Sequence, residues 1–434
     1  MTTKIKNIEL KENSKGGLPE DWVVCELGEV CEINMGQSPP SSTYNINKKG
    51  LPFFQGKAEF TDKYPVVRKW CTIPKKIANK NDILLSVRAP VGTTNIANEK
   101  CAIGRGLASI NYSFGYKFIW YFLQANESSL KSQGTGTTFK AVSGKIIKSQ
   151  KIPLPPLPIQ RALVRKIESL FSSLDSGIAD LKKAQEQLKI YRQAVLKKAF
   201  EGEWEKTALE KVSTAIGGNA FKSKSFLKEK AKYQIIRIGN VRPGIIRLNA
   251  SPVYKNEIED KVKDKYLLKK GDVIITLTGT RKKRDYGYTA MVKSDNLLLN
   301  QRLAYLRFNN NYVPLFFLYF SWSEHFKEQF FSSETGNVGQ GNVGMKAVRK
   351  TLIPDIKKEE QHAIVREIES RLSVCDAVEK NITESLKKAE LLRQSILKKA
   401  FSGQLLTEKE IEQCKQEKDY EPADKLLERI KKIK

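Results

Sequence analysis

Apolar residues recur with a seven-residue period in two separate stretches of the chain. Each period is sustained for about five heptads, and further apolar residues at the partner positions complete an a/d pattern. The predicted seam residues are Ile167, Leu170, Leu174, Leu181, Leu188, Tyr191, Val195, Ile368, Cys375, Ile382, Ala389, Leu392 and Ile396. A strict heptad pattern of this length predicts two long helices that pair as a coiled coil. The alternative, in which each helix packs only on its neighbouring globular domain, leaves the strict period unexplained.

The two stretches belong to an internal repeat. Residues 160–169, QRALVRKIES, return as residues 361–370, QHAIVREIES, and residues 192–200, RQAVLKKAF, return as residues 393–401, RQSILKKAF. The offset is 201 residues at both ends of the match. The chain is therefore predicted to consist of a globular domain, a long helix, a second globular domain and a second long helix, followed by a charged segment.

Each globular domain is predicted to mix strands and helices. Asp82–Val87 and Asp272–Leu277 are short branched runs typical of strands, whereas aromatic-rich Tyr116–Leu123 and Pro314–Phe320 favour helices. Because the second domain starts where the first helix ends, the helices are expected to run antiparallel. The predicted fold class is α+β, with two β-rich mixed domains at opposite ends of a long antiparallel two-helix coiled coil and an internal pseudo-two-fold repeat. The predicted boundaries are 1–158 for the first globular domain, 159–203 for the first helix, 204–358 for the second globular domain, 359–405 for the second helix and 406–434 for a charged C-terminal segment.

The charge of the chain indicates a polyanionic partner. Its 434 residues carry a formal net charge of +28, with +8 over residues 18–153 and +14 over residues 204–354. A surface this basic repels itself unless nucleic acid or an anionic membrane compensates it. The longest apolar run, Val313–Phe320, is far shorter than the roughly 20 residues of a spanning helix, and the polar N-terminus has no signal-peptide core. A cytoplasmic protein that binds nucleic acid is expected.

No pattern of catalytic or metal-binding residues is present. The six cysteines include no C-x-x-C pair and the chain has only two histidines, so we predict reduced structural thiols and no metal site. The chain has neither a G-x-x-x-x-G-K-[ST] phosphate loop nor the Asn-Pro-Pro-aromatic or Asp-Pro-Pro-aromatic segment of amino-methyltransferases. It is therefore predicted to be a non-catalytic binding protein with no cofactor of its own.

Polar, basic and Gly-rich loops in both globular domains supply the residue types that bind duplex DNA. Arg pairs with guanine and Asn or Gln with adenine, while Lys and Thr suit phosphate. The candidates in the first globular domain are Gln37, Ser38, Tyr44, Asn45, Lys57, Arg88, Arg105, Thr137, Thr138 and Lys140. The candidates in the second are Asn219, Lys222, Arg237, Asn240, Arg242, Thr280, Arg281, Lys282, Lys283, Arg284, Gln301, Arg302, Asn342 and Lys346. Residues 281–284 are the strongest, because four successive cations repel one another unless phosphate is near.

Two domains of common architecture but different sequence predict a bipartite, asymmetric DNA site. A helix of about 40 residues is about 60 Å long, so the two domains are expected to contact half-sites separated by base pairs that neither recognises.

These features resemble the specificity subunit of type I restriction-modification enzymes. The resemblance rests on residues 18–22 (LPEDW), on residues 152–157 (IPLPPL) with Gln160, on the repeated LKKAF-x-G ending and on Glu421–Arg429, and it covers essentially the whole chain. It implies two target recognition domains, one for each half of a split site, and helices that fix the spacer and dock two modification subunits. S-adenosylmethionine for adenine N6 methylation would belong to those subunits, and ATP with Mg to restriction subunits that translocate and cut double-stranded DNA. One departure is Pro354-Asp-Ile-Lys-Lys where a Pro-rich run is usual, and another is the missing Leu-Pro before Trp204.

Two alternatives from other classes remain open at this point. A coiled-coil scaffold that binds nucleic acid non-specifically explains the charge and the heptads, but not two divergent domains in a near-exact repeat. An enzyme that fuses recognition with cleavage or methylation is disfavoured by the missing motifs, and methyl transfer by the isolated chain would establish it.

Overall fold

The computed structural model describes residues 17–135 and 140–434, and the chain divides into two compact units. The first unit comprises residues up to Leu181 together with Glu384–Lys434, and the second comprises Lys182–Thr383. The candidates Thr137 and Thr138, and the first 16 residues of the predicted first domain, lie outside the described residues. The fold is a mixture of α and β, as predicted.

The strands are short and are numbered here in chain order. In the first unit they are β1 (Val23–Glu26), β2 (Glu32–Met35), β3 (Tyr44–Asn45), β4 (Leu51–Phe54), β5 (Trp70–Cys71), β6 (Ile77–Ala78), β7 (Ile83–Ser86), β8 (Thr94–Ile96), β9 (Cys101–Ile103), β10 (Leu107–Asn111) and β11 (Lys151–Leu154). In the second unit they are β12 (Lys206–Ala208), β13 (Ser213–Gly217), β14 (Tyr233–Ile236), β15 (Val241–Arg242), β16 (Ile245–Ile246), β17 (Tyr254–Lys255), β18 (Val273–Thr276), β19 (Thr278–Thr280), β20 (Thr289–Met291), β21 (Leu297–Leu299), β22 (Leu303–Phe308), β23 (Glu334–Gly336), β24 (Gln340–Val343) and β25 (Leu352–Pro354). The two strands predicted from branched runs correspond to β7 and β18.

The helices include both aromatic-rich segments and both heptad stretches. They are α1 (Leu27–Val30), α2 (Tyr116–Ala125), α3 (Glu127–Ser132), α4 (Gly144–Lys148), α5 (Leu157–Ala199), α6 (Leu209–Val212), α7 (Asp260–Tyr266), α8 (Pro314–Phe320), α9 (Glu324–Ser332), α10 (Met345–Lys350), α11 (Lys358–Phe401), α12 (Glu408–Lys415) and α13 (Ala423–Ile433). The two predicted domain helices are α2 and α8, and the two predicted long helices are α5 and α11.

The same sheet arrangement occurs in both units. The first unit contains a four-stranded antiparallel sheet of order β2-β10-β7-β8, and the second contains its equivalent, β13-β22-β18-β20. Each unit also has a parallel strand pair, β4 with β9 in the sheet β3-β5-β4-β9-β6, and β14 with β21 in the sheet β17-β14-β21. The second unit has two further sheets, β15-β16 and β19-β24-β23. The repeat detected in the helices therefore extends through the globular domains.

The first and last strands of each globular domain pair with each other in antiparallel orientation. β1 pairs with β11 in the first domain, and β12 pairs with β25 in the second. The chain therefore enters and leaves each domain at adjacent positions, and it continues from the second strand of each pair into a long helix.

A buried glutamine fixes the start of each long helix. Gln160 Nε2 donates to the Pro155 carbonyl at 2.8 Å, and Gln160 Oε1 accepts from the Tyr112 hydroxyl at 3.1 Å. Gln361 takes the same role in the second unit, where its Oε1 accepts from the Val313 amide at 2.7 Å. A buried amide is costly unless it is hydrogen-bonded, so these contacts explain why glutamine occurs at both positions of the repeat.

The far end of each long helix carries an aromatic anchor. Phe401 of α11 packs on Phe118 in the first unit, with ring centres 5.4 Å apart. Its repeat partner, Phe200, which directly follows α5, packs on Phe316 in the second unit at the same distance. The LKKAF ending therefore inserts a phenylalanine into the core of a globular domain in both units.

The two long helices pack together through equivalent arginines. Within the first unit, Arg393 of α11 forms an ion pair with Asp175 of α5, and its guanidinium lies 4.4 Å from the centre of the Phe171 ring. Within the second unit, Arg192 of α5 pairs with Asp376 of α11 at 2.6 Å. Arg192 and Arg393 are 201 residues apart and occupy the same position of the repeat.

The predicted seam residues differ in burial. Most are buried or half-buried: Ile167, Leu170, Leu174, Leu181, Leu188, Val195, Ile368, Cys375, Ile382, Ala389 and Ile396. The structure differs from the prediction at two positions, because Tyr191 is 44% exposed and Leu392 is 51% exposed. The heptad period assigns every a and d position to the interface, whereas these two side chains face solvent.

The charged C-terminal segment forms the helices α12 and α13, which pack on the first unit. Cys414 of α12 and Leu426 and Ile430 of α13 are buried in the core of that unit. A capping box starts α12, in which the Thr407 hydroxyl accepts from the Glu410 amide. The sequence prediction of a charged segment overlooked these few apolar residues, which lie on one helical face among many charges.

Ion pairs link these C-terminal helices to the start of α5. Arg161 contacts Glu417 at 2.6 Å and Asp419 at 2.7 Å, and Lys166 contacts Glu410 at 2.8 Å. The hydrogen bond from Lys166, with those from Thr407, lowers the pKa of Glu410 to about 2.

Candidate nucleic-acid interface

A cleft of about 500 Å³ in the second globular domain brings together three candidate DNA contacts. Arg242, Thr280 and Arg302, which are far apart in the sequence, all line it. Two residues that the sequence did not single out, Thr278 and Gln340, line it as well. Thr278 Oγ1 is buried and has no hydrogen-bond partner within the described residues. The cleft therefore presents guanidinium, amide and hydroxyl groups, which are the groups that contact base edges and phosphates.

Strand β19 and the start of β24, from the three-stranded sheet β19-β24-β23, line this cleft, and the sheet supports the basic turn, residues 281–284. Thr278 of β19 pairs with Asn342 of β24, and Asn342 also pairs with Thr335 of β23. The basic turn follows β19 directly. The candidate Asn342 is half-buried in the centre of this sheet.

Residues of the same domain stabilise part of the positive charge of the basic turn. Arg281 Nε donates to Glu334 Oε2 at 2.9 Å, and the Arg284 guanidinium lies 4.8 Å from the centre of the Phe331 ring. The two lysines between them are exposed. Glu334 and Phe331 therefore stabilise Arg281 and Arg284 within the domain, which reduces the repulsion expected of four successive cations.

The structure contradicts the prediction that Asn240 recognises a base. Asn240 is 2% exposed, and its Nδ2 donates to the carbonyls of Arg247 at 3.1 Å and Ala250 at 2.8 Å. Its Oδ1 accepts from the Arg237 amide at 2.9 Å. The Arg237 side chain donates to the Ser251 carbonyl at 2.5 Å. Both side chains join the segment before β15 to the loop after β16. Both hydrogens of the Asn240 amide are used in these contacts, so none is left for adenine.

The remaining candidates of the second domain lie on loops and a helix outside the cleft, and they are Asn219, Lys222, Gln301 and Lys346. The Asn219 amide donates to the Leu299 carbonyl at 3.0 Å, which places Asn219 against the turn that carries Gln301. That turn also carries Arg302, so Asn219 and Gln301 lie next to a residue of the cleft. Lys222 is exposed near the start of a 3₁₀ turn, and Lys346 is exposed on α10.

In the first globular domain, two candidate loops meet beside β9. The Gln37 amide donates to the Ile103 carbonyl at 3.1 Å, and Ser38 Oγ accepts from the Arg105 amide at 3.2 Å. Gln37 and Arg105 are exposed. The structure therefore brings three predicted contacts together on one surface.

A third loop approaches the same surface closely. A Cβ at Gly106 would overlap the Gln55 carbonyl, so glycine is required there, and the loop that leads to the exposed Lys57 runs directly against it. Arg88 and Lys140 are also exposed in this domain. Arg88 forms a bridge with Ala141, and the amide of the preceding Val87 donates to the Gly106 carbonyl at 2.9 Å.

Tyr44 and Asn45 make local contacts in the first domain, and their predicted role in DNA binding stays a prediction. The Tyr44 hydroxyl donates to the Pro39 carbonyl at 2.8 Å, and its ring lies 4.6 Å from that of Phe53. Asn45 Oδ1 accepts from the Lys49 amide at 3.0 Å, and Nδ2 donates to the Lys49 carbonyl at 2.8 Å. Asparagine stabilises turns in this way, and local spacing alone does not separate that role from base recognition.

Other chemical features of the described residues are limited. No group of three or more His, Cys, Asp or Glu within residues 17–135 and 140–434 is arranged to hold a metal ion. The six cysteines are free and buried, and burial raises the pKa of Cys25 to about 12, so its sulfur remains a thiol. Over the same residues, no helix has both the length and the apolar character that crossing a membrane requires.

A family model matches the chain twice. The model describes the type I restriction modification DNA specificity domain, and it matches residues 19–189 and again residues 201–388. The chain belongs to this family. Each match covers one globular domain and much of the long helix that follows, so the chain contains two DNA specificity domains.

Curated relatives agree with this assignment. The putative type I restriction enzyme MjaX specificity subunit of Methanocaldococcus jannaschii is 41% identical over 197 residues, which is 44% of this chain and 45% of that subunit. The EcoKI specificity subunit of Escherichia coli strain K12 is 25% identical over 96% of both chains. The EcoBI specificity subunit of Escherichia coli is 23% identical over 99% of this chain and 96% of that subunit.

Two solved structures share the fold. A chain from a structural study of complex assembly and conformational transition of the type I R-M system superposes with a TM-score of 0.72 at 20% identity, covering 89% of this chain and 99% of that one. The HsdS subunit from Thermoanaerobacter tengcongensis superposes with a TM-score of 0.57 at 19% identity, covering 91% of this chain and 100% of that one.

Proposed function

We propose that this chain is the non-catalytic DNA-recognition subunit of a type I restriction-modification complex, and that each globular domain binds one half of a bipartite, asymmetric site. The observation that carries the proposal is the occurrence of two specificity domains with a common sheet arrangement and different loops. Two identical domains would favour a palindromic site, whereas different loops contact different bases. The cleft of the second domain and the Gln37, Ser38 and Arg105 surface of the first are the proposed contact regions.

The long helices are proposed to form an antiparallel coiled coil that holds the two domains at opposite ends and sets the spacer. Two ion pairs between α5 and α11 support the antiparallel arrangement. Asp175 in the first half of α5 pairs with Arg393 near the end of α11, and Arg192 near the end of α5 pairs with Asp376 in the first half of α11. In both, an early part of one helix meets a late part of the other.

Two modification subunits are proposed to dock on these helices, one on each unit. Ile190 and Val374 of the second unit are 67% and 62% exposed, and Leu391 and Leu392 of the first are 50% and 51% exposed. Exposed apolar side chains on a helix surface are a feature of protein interfaces. Their presence on the helices of both units supports one docking surface for each subunit.

The chemistry in this proposal belongs to the partner subunits. S-adenosylmethionine bound by the modification subunits supplies the methyl group for adenine N6, and ATP with Mg drives the restriction subunits. This chain binds no cofactor, and its role is to position the DNA. The complex is expected to act on double-stranded DNA in the cytoplasm.

The proposal is tested by co-expressing the chain with its adjacent modification subunit and mapping N6-methyladenine across the host genome by single-molecule sequencing. A split, asymmetric motif is expected, and exchanging residues 204–354 for those of a related subunit is expected to change one half only. A palindromic or undivided motif would contradict two-domain recognition. An assembled complex that binds DNA without sequence preference and with a steep salt dependence would support a non-specific scaffold instead.

The spacer proposal has its own test. Four residues inserted after Gln185 in α5, with four more after Thr383 in α11, lengthen both helices by about 6 Å. Because the DNA rise is about 3.4 Å per base pair, the spacer in the mapped motif is expected to grow by about two base pairs. An unchanged spacer in an active complex would exclude the helices as its determinant.

A further inference from the structure

A three-residue turn in the second globular domain exposes an apolar side chain. Asn337, Val338 and Gly339 connect β23 to β24, and Val338 is 96% exposed. Among the described residues, the other exposed large hydrophobic side chains have exposed fractions of 75% or less. Single apolar residues on a protein surface are common, so exposure alone does not indicate a function for Val338. Its surroundings are therefore informative.

The hairpin that carries Val338 is firmly held. The Glu334 carboxylate accepts from Arg281 Nε at 2.9 Å and from the Tyr286 hydroxyl, and only 11% of the Glu334 side chain is exposed. Thr335 Oγ1 donates across the hairpin to the Asn342 carbonyl at 3.1 Å. These contacts present the turn on a preorganised support, which lowers the entropic cost of binding.

The hairpin tip is joined to the basic turn at residues 281–284. The Arg281 amide donates to the Gly339 carbonyl at 3.4 Å, so the two exposed lysines of the basic turn lie on the segment beside Val338. The next residue along the hairpin, Gln340, lines the cleft that also contains Arg242. The tip therefore combines an apolar centre with cations and with amide and guanidinium donors, in a domain of net charge +14.

The major groove of duplex DNA matches this arrangement. It is about 12 Å wide and accepts a two-stranded β-ribbon, whose strands lie about 4.8 Å apart. Exposed lysines beside the ribbon match the phosphates on the groove edges. The apolar group that a base edge offers in this groove is the 5-methyl group of thymine.

We propose that the β23–β24 hairpin enters the major groove of the half-site bound by the second globular domain, and that Val338 packs on the methyl group of a thymine there. The inference rests on the proposed DNA recognition and adds to it one residue that selects a base.

The test uses the complete chain in complex with its modification subunits and a duplex of about 40 base pairs that carries the mapped wild-type site. Each thymine of the half-site assigned to the second domain is replaced, one at a time, by deoxyuridine, which lacks only the methyl group. The wild-type complex is expected to lose about four-fold in affinity at one position, which corresponds to about 0.8 kcal/mol for one methyl-sized contact. With Val338→Ala, the affinity for the thymine duplex falls by a similar factor and the replacement has no further effect.

Leu352→Ala is the matched control, because it truncates an apolar side chain of the same domain that is 44% exposed and lies on β25. It is expected to keep the full response to deoxyuridine. Thermal unfolding of both variants should match the wild type, since both side chains are exposed. A Val338→Ala complex that keeps the full response would overturn the inference, as would a wild-type complex indifferent to every replacement or a half-site without thymine. Loss of all sequence preference in the wild type would instead overturn the proposed function.

Discussion

The two units share a fold but differ in what covers the start of their long helix. In the first unit the C-terminal helices α12 and α13 pack there, where Arg161 pairs with Glu417 and Ile159 is buried. The repeat partners of Arg161 and Ile159 in the second unit are His362 and Glu360, and both are exposed. Duplicated units can therefore keep their internal contacts while one surface becomes an interface in one copy and stays solvated in the other.

The largest expected effects concern the aromatic anchors that the two units share. Phe401→Ala is expected to lower the free energy of unfolding of the first unit by about 4 kcal/mol, and Phe200→Ala that of the second by a similar amount, because each removes a buried ring. Amide hydrogen exchange over a denaturant series measures each unit separately. If either variant destabilised both units equally, the two would not behave as separately unfolding repeats.

The shared features of the units were predictable because their signals are local and periodic. The heptad positions and the two copies of LKKAF placed α5 and α11, and short branched runs placed β7 and β18. The C-terminal helices also left signals that were overlooked, since Thr407 and Glu410 have the spacing of a capping box and Leu426 and Ile430 lie one turn apart.

The candidate site was much less predictable, because it depends on contacts between distant residues. Residue type alone gave Asn240 and Arg242 the same candidate role. The fold buries Asn240 against carbonyls of the loop after β16 and places Arg242 in the cleft. The positive charge of Arg281 is compensated by Glu334, which is 53 positions away in the sequence. Thr278 and Gln340 carry no sequence signal of their own and reach the cleft through strand pairing.

A smaller loss of stability is expected in the first unit alone when a buried residue of α13 is truncated. Leu426→Ala, at a fully buried position of α13, is expected to lower the free energy of unfolding of the first unit by about 3 kcal/mol and to leave the second unchanged. Ile433→Ala on the same helix is the control, because that side chain is 63% exposed and its loss should cost little. Unchanged hydrogen exchange in the first unit of Leu426→Ala would show that the C-terminal helices do not stabilise it.

The difference between the two units can also be tested at one pair of equivalent repeat positions, Arg161 and His362. Arg161→Ala removes two partly exposed ion pairs and is expected to cost the first unit about 1 kcal/mol or less. His362→Ala, at the equivalent position of the second unit, is expected to have no measurable effect. Denaturant midpoints of the two variants provide the measurement, and equal shifts would contradict the asymmetry.

The smallest expected effect is a pH dependence confined to the first unit. The folded-state pKa of Glu410 is about 2, below its ordinary value of 4.5, so its contribution to packing is fully present above pH 4.5 and is lost as the pH falls towards 2. Limited proteolysis between residues 402 and 407 should therefore become faster across that range. Glu410→Gln should weaken this dependence, and a profile identical to that of the wild type would exclude the Lys166 pair as its source.

The strand pairs β1–β11 and β12–β25 bear on how such a protein changes over evolutionary time. Since the chain enters and leaves each globular domain at neighbouring positions, a recombination event with both breakpoints in one strand pair would exchange a whole domain as a cassette. The helices, and with them the surfaces proposed for the modification subunits, would be inherited unchanged. Under the proposed recognition of one half-site by each domain, a lineage would acquire a new half-site in a single genetic step while keeping the other half.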